Sequence, residues 1–331
     1  MASTKKSAVK AKSAPKATKT AETKVRTISA AEATKSPKRT AVSHTTVAKP
    51  VTEPAEESVR TSNATTSKLP NNMIYVVLAE LLGTFVLTSV LLYAAGILSP
   101  LYAGLTVAAI YLGINYVSGA HVNPAVTFGL WAMRRLPSIA LPFYWIAQFL
   151  GAMAAVVVIN LLSNGQLALS YGNFADISWP ILFAELFAMA VFMFGIAAVT
   201  SRRDISNAGK GLGVGLAYMA GILVGGALLY QVQAGVDQSQ ITSIEEYPHE
   251  LRVKDVTANP AVALAASEKT DAEIQGAGAA ASGEERDSRL GLETILGTLL
   301  GAALGGNLYL LVSRKARQTP DSEVAPVRPV L

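Results

Sequence analysis

The chain contains no cysteine in 331 residues. That excludes disulfide staples, thiolate nucleophiles and cysteine metal sites. Histidine is scarce as well: His44, His121 and His249 stand far apart, so no metal site and no cofactor are expected. No pairing of a nucleophile with a base stands out, and the chain does not read as an enzyme. Charge is limited to 15% of residues, against 51% hydrophobic. The first apolar run begins only at Met73, so a cleaved secretory leader is not expected.

What is present divides the chain. Residues 1–70 carry fourteen Lys and Arg against five Glu, with no periodic apolar stripe. Such a composition cannot bury enough surface to fold alone, so it reads as a disordered tail. Its Lys-rich runs, Lys5-Lys6 and Ser36-Pro37-Lys38-Arg39, suit contact with anionic lipid or nucleic acid. The plainer reading, preferred here, is a solvated tail that fixes membrane orientation.

From Met73 onward, six runs reach the roughly 20 apolar residues needed to cross hydrocarbon: 73–95, 101–119, 138–162, 178–200, 211–230 and 290–312. They define a membrane domain over 73–313, with an extended outer loop at 231–289 and a short tail at 314–331. Basic residues mark alternate connections: Arg134-Arg135 after span two, Arg202, Arg203 and Lys210 after span four, Arg314, Lys315 and Arg317 after span six. The opposite side is poor in basic charge, and 231–289 carries eleven acids against five bases. The positive-inside rule places both termini in the cytoplasm of a multi-pass protein of the cell membrane.

Two shorter apolar segments each follow the tetrapeptide Asn-Pro-Ala-Val, at Asn123–Val126 and Asn259–Val262. Asn caps free N–H groups, and Pro at the first helical position loses no hydrogen bond. Both segments are too short to span, so they read as re-entrant half-helices, with Asn123, Pro124, Ala125 and Asn259, Pro260, Ala261 at their tips. Irregular backbone at that depth needs protein or a wet cavity around it. The expected fold is therefore all-α: six transmembrane helices plus two half-helices.

The halves repeat. Ala79-Glu80-Leu81 recurs as Ala184-Glu185-Leu186, Gly104-Leu105 as Gly215-Leu216, and Leu150-Gly151-Ala152 as Leu300-Gly301-Ala302. Three spans per half invert one copy relative to the other. The spacing between matched motifs widens on both sides of Asn259, which locates two polar insertions in the outer loop. Glu80 and Glu185 are intramembrane carboxylates, costly unless paired, and so mark function.

These motifs, above all Ser118-Gly119-Ala120-His121-Val122-Asn123-Pro124-Ala125-Val126-Thr127, resemble the aquaporins of the major intrinsic protein family. The resemblance covers about 73–230 and returns over 290–312. It implies an inverted-repeat channel whose half-helix tips meet at mid-membrane. Each monomer would have its own pore for water and small neutral solutes, within a homotetramer in the lipid bilayer. It implies that Asn123 and Asn259 turn amide donors to the lumen. Glu80 and Glu185 would accept bonds from the tip loops, and His121 would support the first loop.

The chain departs from that pattern at the outer constriction. An Arg usually follows the second Asn-Pro-Ala; here Val262 stands there. Ala103 occupies the usual aromatic position, Ile222 the usual His position, and Val256 the loop position. A throat of Ala103, Ile222, Val256 and Val262 has no charge and no side-chain donor, and is expected to be widened. Glycerol, urea or ammonia would then pass beside water. The alternative is a non-conducting relative, its half-helix unseated by the 231–255 insertion, that acts through its tail or outer loop.

Overall fold

The computed structural model describes residues 71–93, 99–163, 167–276 and 285–318. The basic tail 1–70 lies outside them, as do residues 319–331 of the C-terminal tail. In chain order, α1 (Met73–Tyr93) and α2 (Ser99–Ser118) lead into a short α3 (Pro124–Ala132). Then come α4 (Leu141–Leu162), entered through a one-turn 3-10 segment at Ser138–Ala140, strand β1 (Ala168–Ser170), α5 (Trp179–Ser201) and α6 (Asn207–Ala234). Single turns α7 (His249–Arg252) and α9 (Asp271–Ile274) flank the short α8 (Pro260–Ala265), and β2 (Glu285–Asp287) precedes α10 (Leu292–Gln318). Among the described residues, six helices are long and apolar enough to cross a membrane: α1, α2, α4, α5, α6 and α10.

Two boundaries differ from the hydropathy reading for identifiable reasons. Helix α6 begins at Asn207, four residues ahead of the apolar run, because Ser206 Oγ accepts from the Gly209 N–H at 3.1 Å as its N-cap. It continues to Ala234 because the Gln233 amide donates to the carbonyls of Glu250 and Val253, at 2.7 and 2.9 Å. A polar residue that serves the following loop therefore belongs to the helix.

The most extensive packing joins α5 to α10 and α6, α1 to α4, and α2 to α6. Two of these contacts are the same crossing built twice. A Cβ at Gly151 in α4 would collide with the Leu81 carbonyl oxygen in α1, and one at Gly301 in α10 with that of Leu186 in α5. These are matched positions of the repeat, and backbone can approach that closely only where no side chain intervenes. Facing outward, Ile74, Leu78 and Leu82 on α1, and Leu296, Leu300 and Leu304 on α10, stay exposed. Such rows need no cover where the solvent is hydrocarbon. On the outer-loop side, β1 and β2 pair in parallel, Ala168 opposite Glu285 and Ser170 opposite Asp287.

Candidate functional site

The two short helices meet through their caps. Asn123 Oδ1 accepts from the N–H groups of Ala125 and Val126, at 2.8 and 3.4 Å. Asn259 Oδ1 does the same with Ala261 and Val262, at 3.0 and 3.4 Å. Each amide then reaches across: Asn123 Nδ2 donates to the Ala258 carbonyl at 2.7 Å, and Asn259 Nδ2 to the Val122 carbonyl at 3.0 Å. An amide nitrogen carries two N–H bonds. One at each tip joins the opposite loop, so only one is left over. Pro124 and Pro260 open the two helices, and Pro124, Ala125, Pro260 and Ala261 are buried.

The residues before each Asn are strained. Val122 and Ala258 have φ of 42° and 46°, in the left-handed region. For a β-branched residue such as Val122 that conformation is a marked outlier. A carboxylate holds each one. Glu80 accepts from the N–H groups of His121 and Val122 at 2.9 and 2.7 Å. Glu185 accepts from those of Thr257 and Ala258 at 3.0 and 2.7 Å. Both glutamates are fully buried.

Behind the glutamates the halves diverge. Gln148 Nε2 donates to Glu80 Oε2 at 2.8 Å and to Thr127 Oγ1 at 2.9 Å. His121 Nδ1 lies 3.1 Å from the same Thr127 hydroxyl, and its ring stacks on Tyr144 with centroids 4.4 Å apart. The Tyr144 hydroxyl donates to the Ser118 carbonyl at 2.6 Å. In the second half, Arg289 Nη2 donates to Glu185 Oε1 at 3.1 Å, and Arg289 Nη1 to Thr294 Oγ1 at 2.7 Å and Glu293 Oε1 at 3.4 Å. The Tyr218 hydroxyl donates to the Thr257 carbonyl at 2.8 Å. Sequence reasoning passed over Gln148, Tyr144, Tyr218 and Arg289. Gln148 could have been found as an amide in mid-span, whereas Arg289 looks like an ordinary loop charge next to span six.

The second half-helix is seated, not displaced by the insertions. Ser288 Oγ donates to the carbonyls of Ala263 and Leu264, at 3.2 and 3.1 Å, capping a helix of only six residues. The Arg289 N–H bonds the Ala266 carbonyl at 2.9 Å. The outer segment is stitched elsewhere by Arg252–Asp271 at 2.7 Å and His249–Glu268 at 2.7 Å. Burial opposes charge on His249, but the hydrogen bond and charge of Glu268 outweigh it and raise its pKa. Burial likewise pushes the Asp255 carboxyl up, against bonds from the Val256 N–H and the Ser99 hydroxyl.

Ala103, Ile222, Val256 and Val262 all fall in one contiguous apolar cluster with Val122, Val126 and Ala258. None is more than 5% exposed. The structure thus brings the four sequence-predicted throat positions together in one apolar cluster. On the side of Arg135, a cavity of about 420 Å³ runs inward past Ser201, Ile196 and Val126 to Ala120 and His121.

Comparison with known proteins agrees with this geometry. The family model described as Major intrinsic protein matches residues 71–229. Aquaporin NIP2-1 of Zea mays is 30% identical over 175 residues, covering 48% of this chain and 59% of that relative. Aquaporin Z of Photorhabdus laumondii is 32% identical over 156 residues, 40% of this chain and 68% of the relative. The chain thus spans under two thirds of the plant relatives it matches. Among solved structures, the aquaglyceroporin of Plasmodium falciparum covers 74% of this chain and 97% of its own at 19% identity, with a TM-score of 0.46. The chain belongs to the major intrinsic protein family.

Proposed function

We propose that this protein is a passive membrane channel for water and small neutral solutes. The observation that carries the reading is the reciprocal joining of two half-helix tips, with one amide N–H of Asn123 and of Asn259 left for a passing molecule. A water accepting from both must turn its own hydrogens away from the tips, which interrupts a proton wire. The cavity ending at Ala120 and His121 is the inner approach. Ala103, Ile222, Val256 and Val262 form the outer throat. With no charge or donor there, discrimination rests on size and on the cost of shedding hydration.

Both termini face the cytoplasm on this reading, and each chain of a homotetramer carries its own passage. Stopped-flow permeability of proteoliposomes is the test. Water flux above the lipid background is expected, with ammonia, urea and glycerol following in decreasing order. Correctly folded protein that passes none of the four would overturn the proposal in favour of a non-conducting relative that acts through its outer loop or tail.

A further inference from the structure

We propose that Arg289, carried by the segment inserted before α10, is the positioning residue of the second Asn-Pro-Ala loop. It neutralises Glu185 and so holds the carboxylate that clamps Thr257 and Ala258. The inference rests on the channel reading and names what keeps its second tip in place.

A buried carboxylate that accepts two backbone bonds still needs compensation for lost hydration. In the first half Glu80 finds it in Gln148, three residues before Gly151 on α4. The matched residue, three before Gly301 on α10, is Thr298. Its hydroxyl bonds its own helix, to the carbonyls of Thr294 and Ile295 at 2.7 and 3.1 Å, and reaches no glutamate. The second half therefore lacks the donor that the first half has. Arg289 occupies that role from a different part of the chain, with its side chain 3% exposed and Glu185 at 0%.

Its placement is determined from several directions. The Arg289 N–H and the neighbouring Ser288 hydroxyl bond the carbonyl end of α8. Nη1 is held by Thr294 and Glu293 on the first turn of α10. Arg289 thus ties together three separate parts: α5 and α10 through its guanidinium, on Glu185 and on Glu293 and Thr294, and the half-helix through its main-chain N–H.

A charge-pair cycle tests this, using full-length protein in liposomes and water permeability per folded chain. Arg289→Met is expected to lose about tenfold, and Arg289→Lys to stay within about threefold of wild type, since it keeps the charge. The double variant Glu185→Gln/Arg289→Met should outperform Arg289→Met, because it removes the uncompensated charge. Arg289→Met should also gain flux toward acid pH as Glu185 takes a proton. The double variant should not, although Glu293 on α10, His249 and Glu268 in the outer segment, and Asp255 before the loop are present in both. An Arg289→Met protein that conducts like wild type, or a double variant no better than Arg289→Met, overturns the proposal.

If Arg289→Met cannot be recovered from membranes, recovery becomes the readout. The double variant must then be recovered, and loss of both overturns the proposal. Thermal unfolding of the same proteins carries the cycle even if the wild type conducts nothing, which separates failure of this inference from failure of the channel reading.

Discussion

The two tip loops reach the same geometry from different materials. The first is held by a network in which an amide, Gln148, backs Glu80, with Thr127 and His121 on adjoining elements. The second is held by a charged one, Glu185 with Arg289 and Glu293. The first half-helix has nine residues and the second six. Both backbones demand two clamped amides and a left-handed residue before Asn. Side chains that satisfy those demands are interchangeable only if charge and donor count balance.

The comparison breaks most sharply at the glutamates. In Glu80→Gln, one loop N–H loses its acceptor but the Gln148 amide can turn its oxygen toward the new side chain, and a loss of about 1.5 kcal/mol is expected. In Glu185→Gln, Arg289 has no acceptor atom to offer and loses its main counter-charge, so about 3 kcal/mol is expected. Equal losses in unfolding titrations of the two purified variants would contradict the contrast.

At the tips themselves the halves should behave alike. Asn123→Asp and Asn259→Asp each replace a donor with an acceptor facing the opposite carbonyl, Ala258 or Val122. Each should cut water permeability about tenfold, and a difference of more than about threefold between them would mean that the tips are not equivalent. A smaller and also matched effect is expected from Tyr144→Phe and Tyr218→Phe. Each removes one buried bond to a loop carbonyl, for about 1 kcal/mol in thermal unfolding.

The smallest effect concerns the second half alone. The raised pKa of His249 means that its pairing with Glu268 stabilises the fold fully below the ordinary histidine value. That contribution fades as pH rises through the raised one. Unfolding midpoints should fall over that interval, and His249→Gln should flatten the profile. An unchanged slope in the variant would assign the dependence to another group.

Much of this molecule is legible from short-range signals. The apolar runs announce the six long helices because the cost of backbone in hydrocarbon leaves few alternatives. Asn-Pro announces two helix starts because cap and proline chemistry is local. What is not legible depends on approach through space. Arg289 and Glu185 are 104 positions apart, and nothing beside either residue names the other. The left-handed Val122 is equally hidden, since valine disfavours that conformation and it is held by the bond its N–H donates to Glu80 and the one its carbonyl accepts from Asn259.

The parallel pairing of β1 with β2 bears on the order in which the chain assembles. Ala168 lies in the connection between α4 and α5, and its partner Glu285 comes just before the last span. These three-residue strands can join only after α5, α6 and α8 have been threaded between them, and closing so long a loop is slow and weakly rewarded. Pairing of β1 with β2 is thus a late step of assembly, open to the chain only once residues 285–287 have followed α8.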